Sequence, residues 1–170
     1  MKVIIETDRL LLREFELSDA PEMFLLNSDH EVIKYTGDVP FKNIEEAEQL
    51  ILNYEQYSKY GFGRWTVLNK STGAYLGWCG LKFLDDLQET DIGYRFHKKY
   101  WGRGYATESA AACLKYGLEK LQLKKIIGRA MKENYASIKV MEKTGMKFER
   151  NELMHEGAGV IYSIEKINQT

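Results

Sequence analysis

Trp101-Gly102-Arg103-Gly104-Tyr105-Ala106-Thr107-Glu108 comes shortly after Ile92-Gly93-Tyr94-Arg95-Phe96. The later stretch reads as a glycine-punctuated turn and the earlier one as a buried strand. Ala110-Ala111-Ala112-Cys113-Leu114, beyond the turn, is rich in helix formers. Strand, glycine turn and helix start together can seat a phosphate. The first N–H groups of a helix have no intrahelical acceptor, and the helix dipole favours negative charge there. Glycine lets the backbone approach an anion with no Cβ in the way. A Gly-x-Gly turn alone can equally be a tight loop, so its meaning depends on what accompanies it. Lys98, Lys99 and Arg103 either add local positive charge or form a solvated basic turn.

Other polar residues carry two readings each. Asn134 is a good helix cap, and its amide also offers a donor and an acceptor to a ligand. Ser137 lies one turn further on. The strand before the glycine turn opens Gln88-Glu89-Thr90-Asp91, so Asp91 or Glu89 is a candidate base acting through water, or part of a solvated strand end. Glu108 reads as structural, since an acid in the first turn of a helix is favoured by the dipole.

The elements that must position these residues follow from pattern. Thr7 to Phe15 alternates as a strand, with Leu10 and Leu12 on one face. Ser18-Asp19-Ala20-Pro21 is a helix entry, with a capping hydroxyl or carboxylate followed by proline in the first turn. Asn43 opens a second helix with Ile44, Ala47, Ile51 and Tyr54 on one stripe, stopped by Gly61-Phe62-Gly63. Trp65–Leu68 and Tyr75–Phe83 are strands joined through Lys70-Ser71-Thr72-Gly73, and Thr90–Phe96 continues the meander. Tyr105–Leu121 is a long helix and Lys125–Met131 a strand. Asn134 caps a helix ending before Gly145, and a closing hairpin turns around Gly157-Ala158-Gly159. The order predicts an α/β fold: a mixed, mostly antiparallel sheet of about seven strands flanked by four helices, in a single domain over 1–170.

Composition narrows the function classes. A chain that is 44% apolar and 29% charged is an ordinary globule, and its net charge of −1 gives no long-range pull on nucleic acid or acidic membranes. Any anion site must therefore be local. The N-terminal residues lack the apolar core of a signal peptide, so a cytoplasmic location is expected, with no nucleic-acid or membrane partner. Cys79 and Cys113 read as small buried thiols. His30, His97 and His155 have no helically spaced partner, so no metal is expected.

Taken together, these blocks resemble the GNAT superfamily of acetyl-CoA-dependent N-acetyltransferases. The branch containing the ribosomal-protein N-terminal acetyltransferases is resembled by Glu6-Thr7-Asp8-Arg9-Leu10-Leu11-Leu12-Arg13, by Ile92-Gly93-Tyr94, by the glycine turn, and by Asn134 through Met146. The resemblance covers nearly the whole chain. It implies acetyl-CoA as co-substrate, with its pyrophosphate on the N–H groups of Gly102, Arg103, Gly104, Tyr105, Ala106 and Thr107. It further implies that Tyr94, Arg95 and Phe96 offer main-chain groups to the pantetheine arm, and that Asn134 bonds the same arm. The family's phosphate signature is Gln/Arg-x-x-Gly-x-Gly/Ala. Gly104-Tyr105-Ala106 fits its second half, while Trp101 stands where Gln or Arg is usual. Many members carry a tyrosine seven residues after the matched Asn, as general acid for the leaving thiolate. Here that position is Met141, so Ser137 is the resemblance's candidate acid and Tyr162 an alternative. Asp91 stands where the branch has Glu and is the candidate base.

The leading acceptor is a protein N-terminal α-amine. A small amine (polyamine, aminoglycoside or amino-acid-like) is the alternative, and the missing tyrosine also suits a non-catalytic acyl-CoA-binding module. The two N-terminal helices, the loop Tyr35-Thr36-Gly37-Asp38 and the closing hairpin are expected to shape the acceptor side, and a homodimer is an open assembly state.

Overall fold

The computed structural model describes residues 1–167. Its strands are β1 (Val3–Glu6), β2 (Leu10–Arg13), β3 (Arg64–Asn69), β4 (Tyr75–Leu84), β5 (Glu89–Phe96), β6 (Lys125–Met131), β7 (Lys147–Met154) and β8 (Gly157–Glu165). They form one sheet in the order β1-β2-β3-β4-β5-β6-β8-β7, antiparallel throughout except between β5 and β6. Four longer helices, α1 (Ala20–Ser28), α3 (Ile44–Leu52), α5 (Tyr105–Glu119) and α6 (Tyr135–Lys143), accompany two short ones, α2 (His30–Ile33) and α4 (Gln56–Tyr60). The α/β class and the mostly antiparallel sheet agree with expectation.

Several boundaries differ, each for a local reason. The strand expected over Thr7–Phe15 begins only at Leu10. Thr7 N donates to Leu10 O (2.9 Å) and Leu10 N donates to Thr7 Oγ1 (3.0 Å), closing a turn that folds Val3–Glu6 back as an eighth strand. Asp19 does not cap α1. Its carboxylate is buried and accepts from both terminal nitrogens of Arg13 (2.8 Å each), from Thr66 Oγ1 (2.7 Å) and from Glu16 N (2.9 Å). Tyr54 leaves the α3 stripe because its hydroxyl accepts from Arg64 N at 2.7 Å. The closing hairpin turns at His155-Glu156, so Gly157-Ala158-Gly159 lies inside β8. At Gly159 the Met154 side chain lies over the strand, its Sδ 2.5 Å from where a Cβ would fall.

The two faces of the sheet differ in chemistry. Strand alternation and register put Trp65, Val67, Cys79, Leu81, Ile92 and Ala130 on one face. This face is buried with Cys113, Leu114 and Ala110 of α5 in the main core. Gly117 lets α5 settle there, since a Cβ would meet Ile126 at 2.7 Å. The opposite face carries Arg13, Arg64, Thr66, Trp78, Asp91, Arg95 and Arg129. A purely structural sheet face does not bury that much charge; buried charges need partners.

β5 and β6 pair only through Asp91↔Ile127 and Ile92↔Gly128, although both strands run on, to Phe96 and Met131. Beyond Ile92 the sheet is open on that side.

Candidate active site

The glycine turn has the geometry of an anion seat. Gly102 and Gly104 hold φ of +75° and +80°, a region that L side chains rarely adopt. Among the described residues, no backbone or side-chain group accepts from the N–H groups of Gly102 through Thr107. Trp101 does not point into this turn. Its Nε1 donates to Phe96 O at 2.8 Å, tying the turn to the end of β5. On the other flank, Glu108 accepts from Thr7 Oγ1 (2.7 Å), Arg9 N (3.0 Å) and Arg9 Nε (2.6 Å), while Arg9 also donates to Arg103 O (2.9 Å). Glu108 is structural, as the sequence indicated. Lys99 and Arg103 lie over the Tyr100 ring, at 5.1 and 5.9 Å. These groups fit a pyrophosphate: free donors, glycine clearance, nearby cations, and a first-turn carboxylate, Glu108, already engaged by Thr7 and Arg9.

Where the sheet opens there is a cavity of about 540 Å³, lined from the α6 side by Tyr94, Asn134, Ser137 and Met141. From the opposite sheet face it is lined by Arg64, Trp78, Asp91, Arg95 and Arg129. A larger hollow of about 1090 Å³ lies against the C-terminal end of β8 and is lined by none of the chemistry-bearing residues. The smaller one brings together Asp91, Tyr94, Arg95, Asn134 and Ser137. The turn residues lie outside it, beyond the end of β5. Phe96 is buried toward the core and can contribute only its main chain.

On the α6 side, the Asn134 side chain accepts from Ser137 N at 3.3 Å, capping the helix and holding its first turn against β5. The Tyr94 hydroxyl donates to Ser137 O (2.8 Å) and lies 3.0 Å from Ser137 Oγ. Burial holds the Tyr94 phenol well above its usual pKa, with the Ser137 hydrogen bond pulling the other way. Met141 is packed over Gly128, where a Cβ would fall 2.4 Å from its sulfur. Tyr162 lies outside the cavity, donating to Glu142 at 3.3 Å.

On the other face, Asp91 is buried between two guanidinium groups. Its Oδ1 lies 2.9 Å from Arg64 Nη2, and its Oδ2 lies 3.7 Å from Arg129 Nε. The Arg64 contact is close but misaligned, so Oδ1 is ion-paired while making no proper hydrogen bond. Arg64 also donates to Gly80 O (2.8 Å) and Asp91 O (3.2 Å). It lies across Gly93, where a Cβ would fall 2.6 Å from its Cζ. Arg95 sends its side chain to Asn27 (2.6 Å) and Asp38 (2.7 Å). Sequence reasoning missed Arg64 and Arg129. The available signal was the glycine pair Gly80 and Gly93 inside neighbouring strands, which marks something lying closely over the backbone. The loop at Gly37 meets Glu156 of the hairpin turn across the mouth, so two of the segments expected to shape the acceptor side touch.

Residues 9–147 match the family model of the acetyltransferase (GNAT) domain. YkkB, an uncharacterised protein of Bacillus subtilis, is 36% identical over 152 residues, covering 88% of each chain. A GNAT-family acetyltransferase from Bacillus anthracis superposes with a TM-score of 0.81 at 29% identity, over 95% of this chain and 97% of that one. Two more distant structures share the fold alone. One is a ribosomal-protein α-N-acetyltransferase in complex with coenzyme A (TM-score 0.82, 16% identity, 97% of this chain and 98% of that one). The other is a Vibrio cholerae spermidine N-acetyltransferase in complex with coenzyme A and spermine (TM-score 0.79, 19% identity, 94% and 97%). The chain belongs to the GNAT acetyltransferase family. It is an acetyl-CoA-dependent acyltransferase, with acetyl-CoA as its co-substrate. Among the described residues no helix is long and apolar enough to cross a membrane, and no cluster of three or more His, Cys, Asp or Glu is placed to hold a metal.

Proposed function

We propose that this N-acetyltransferase acts on an α-amine, foremost a protein or peptide N-terminus, with Ser137 as proton donor and Asp91 as a weak, water-mediated base. The observation carrying this reading is the state of Asp91. It is the cavity-lining carboxylate carried by β5, where the sheet opens, and both of its oxygens face guanidinium groups. An α-amine of pKa about 8 is substantially neutral near pH 7, whereas an alkyl amine near 10.4 is neutral about one time in a thousand. Only the first can react without a dedicated base.

The arrangement supports a division of labour. The N–H groups of Gly102–Thr107 hold the pyrophosphate, and the free edge of β5 at Tyr94–Phe96, together with Asn134, aligns the pantetheine arm as an added strand would be aligned. Acetyl-CoA supplies the thioester when bound. A main-chain N–H near Tyr94 polarises the carbonyl. The amine enters from the arginine-bearing face and adds to the carbonyl carbon as the C–S bond breaks. Ser137 Oγ–H protonates the departing sulfur and takes its proton back from solvent, while the amine's excess proton leaves through water beside Asp91.

Coenzyme A release measured with peptides, free amino acids, aminoglycosides and polyamines tests this. Turnover of peptides or other α-amines above all polyamines is expected. Spermidine outperforming every α-amine would overturn it.

A further inference from the structure

Resting on the α-amine reading, we infer that Arg129 is a recognition residue for a carboxylate carried by the acceptor close to its reacting amine. Three guanidinium groups line the acceptor side, and two of them are engaged. Arg64 is fixed by Gly80 O, Asp91 O and the Asp91 carboxylate. Arg95 is fixed by Asn27 and Asp38, and both lie over Trp78, at 5.5 and 5.1 Å from the ring.

Arg129 differs. Its side chain makes no hydrogen bond to any described residue, and the one ion-pair contact it has among them is Nε to Asp91 at 3.7 Å, with the side chain 35% exposed. It sits one residue past Gly128, where β5–β6 pairing stops. It lines the cavity with Asp91, Tyr94 and Ser137, on the side from which an amine would approach the thioester. A planar, permanently charged fork matches a carboxylate bidentately. Asp86, Glu152 and Glu156, which pair with no cation among the described residues, lie on the loop and hairpin that border the cavity, where they can meet an ammonium on its way in. Such a charge pattern suits a zwitterionic end. It disfavours a polyamine, which brings only cations toward the guanidinium groups.

A carboxylate near an α-amine has two sources, the acceptor's own carboxylate in an amino acid or an acidic side chain next to a peptide N-terminus. Matched pairs separate them: L-alanine against L-alaninamide, and the dipeptide amides Ala-Asp against Ala-Asn, with spermidine alongside. In the parent enzyme the carboxylate member of at least one pair should have a kcat/KM higher by about tenfold or more, the scale of one charge-assisted hydrogen bond. Arg129→Gln should bring that ratio to about unity, and Arg129→Lys should restore part of it. Equal treatment of both members by the parent enzyme would overturn the inference, needing no variant that might misfold. A ratio unchanged in Arg129→Gln would overturn it too. α-Amines acetylated without regard to charge would remove this inference and leave the α-amine reading intact. Acetylation of spermidine with no α-amine turned over would remove both.

Discussion

The hydroxyl of Tyr94 on β5 donates to the carbonyl of Ser137 on α6 at 2.8 Å and stands 3.0 Å from that serine's Oγ, clamping the helix to the strand where the sheet opens. With the Tyr94 proton directed at the carbonyl, the 3.0 Å contact is one in which the Ser137 hydroxyl donates to the Tyr94 oxygen, so the serine must turn away from Tyr94 to give its proton to a group in the cavity. Met141, at the position where a phenol is usual, is a buried thioether with no proton to give. If Ser137 protonates the departing sulfur, Ser137→Ala should lower kcat by about a hundredfold, the lower range for a general acid, with a much smaller change in the KM for acetyl-CoA. Tyr94→Phe should give a smaller loss in kcat by loosening the serine. Steady-state kinetics of both variants decide it; an unchanged kcat in Ser137→Ala leaves water as the donor.

Gly104 sits at φ +80° with its N–H free, at the start of α5. Gly104→Asp should weaken acetyl-CoA binding by about tenfold or more, about 1.4 kcal/mol, because it sets a carboxylate beside the pyrophosphate seat. Gly104→Ala carries the same backbone strain without the charge and should lose less. Calorimetric titration of both folded variants with acetyl-CoA reads the difference, and identical affinities for the two would remove the electrostatic argument.

Legibility in the sequence divided along local and long-range lines. The glycine turn, the Asn134 cap and the meander are written in contiguous residues, and each was found where pattern placed it. Asp19 was one of two candidate caps, with Ser18, because a hydroxyl or carboxylate ahead of Pro21 looks like one; its side chain does not cap α1. Its true partners, Arg13 and Thr66, become neighbours only when β2 pairs with β3. Arg64 and Arg129 went unseen for the same reason. They converge on Asp91 from strands on either side of β5, and no local periodicity encodes that convergence.

That aspartate carries a stability prediction. Arg13 and Asp19 are both buried and doubly hydrogen-bonded, and the Asp19 bond outweighs burial to hold the Arg13 pKa above its ordinary value. Asp19→Ala removes the bidentate partner of a buried guanidinium, leaving it Glu14 O and the half-exposed Glu16, and should destabilise the fold by about 3 kcal/mol. Thr66→Val removes one donor from the same carboxylate and should cost about 1 kcal/mol. Denaturant unfolding measures both; a loss in Asp19→Ala no larger than in Thr66→Val would show the pair to be dispensable.

Glu108 should make stability depend on pH in acid. Burial works to raise its pKa, but the hydrogen bonds from Thr7 and Arg9 outweigh it and leave the carboxylate below the ordinary 4.5. A depressed folded-state pKa contributes stability that is present above the unfolded value and lost as pH falls through the folded one. The parent should therefore melt above Glu108→Gln at neutral pH, and the gap should close as the pH drops well below 4.5. Thermal melts across that range test it, and a gap that persists undiminished in strong acid would contradict the carboxylate's role.

The last prediction concerns the acceptor's own proton. Asp91 is held between Arg64 and Arg129, so it is poorly arranged to strip a proton from an ammonium, and the substrate must lose its proton to solvent. With a peptide acceptor, kcat/KM should rise with pH along the amine's titration near about 8. Acceptors of lower amine pKa should reach their plateau earlier. Asp91→Asn should cost little more than about tenfold in kcat/KM, about 1.4 kcal/mol of transition-state stabilisation. Its thermal stability should fall further, because the substitution leaves two guanidinium groups without their shared carboxylate. Melting the variant alongside the kinetics separates these effects. A folded Asp91→Asn enzyme that loses activity by several orders of magnitude, with a pH profile that no longer follows the amine, would make Asp91 a dedicated base and reopen the case for an alkyl-amine acceptor.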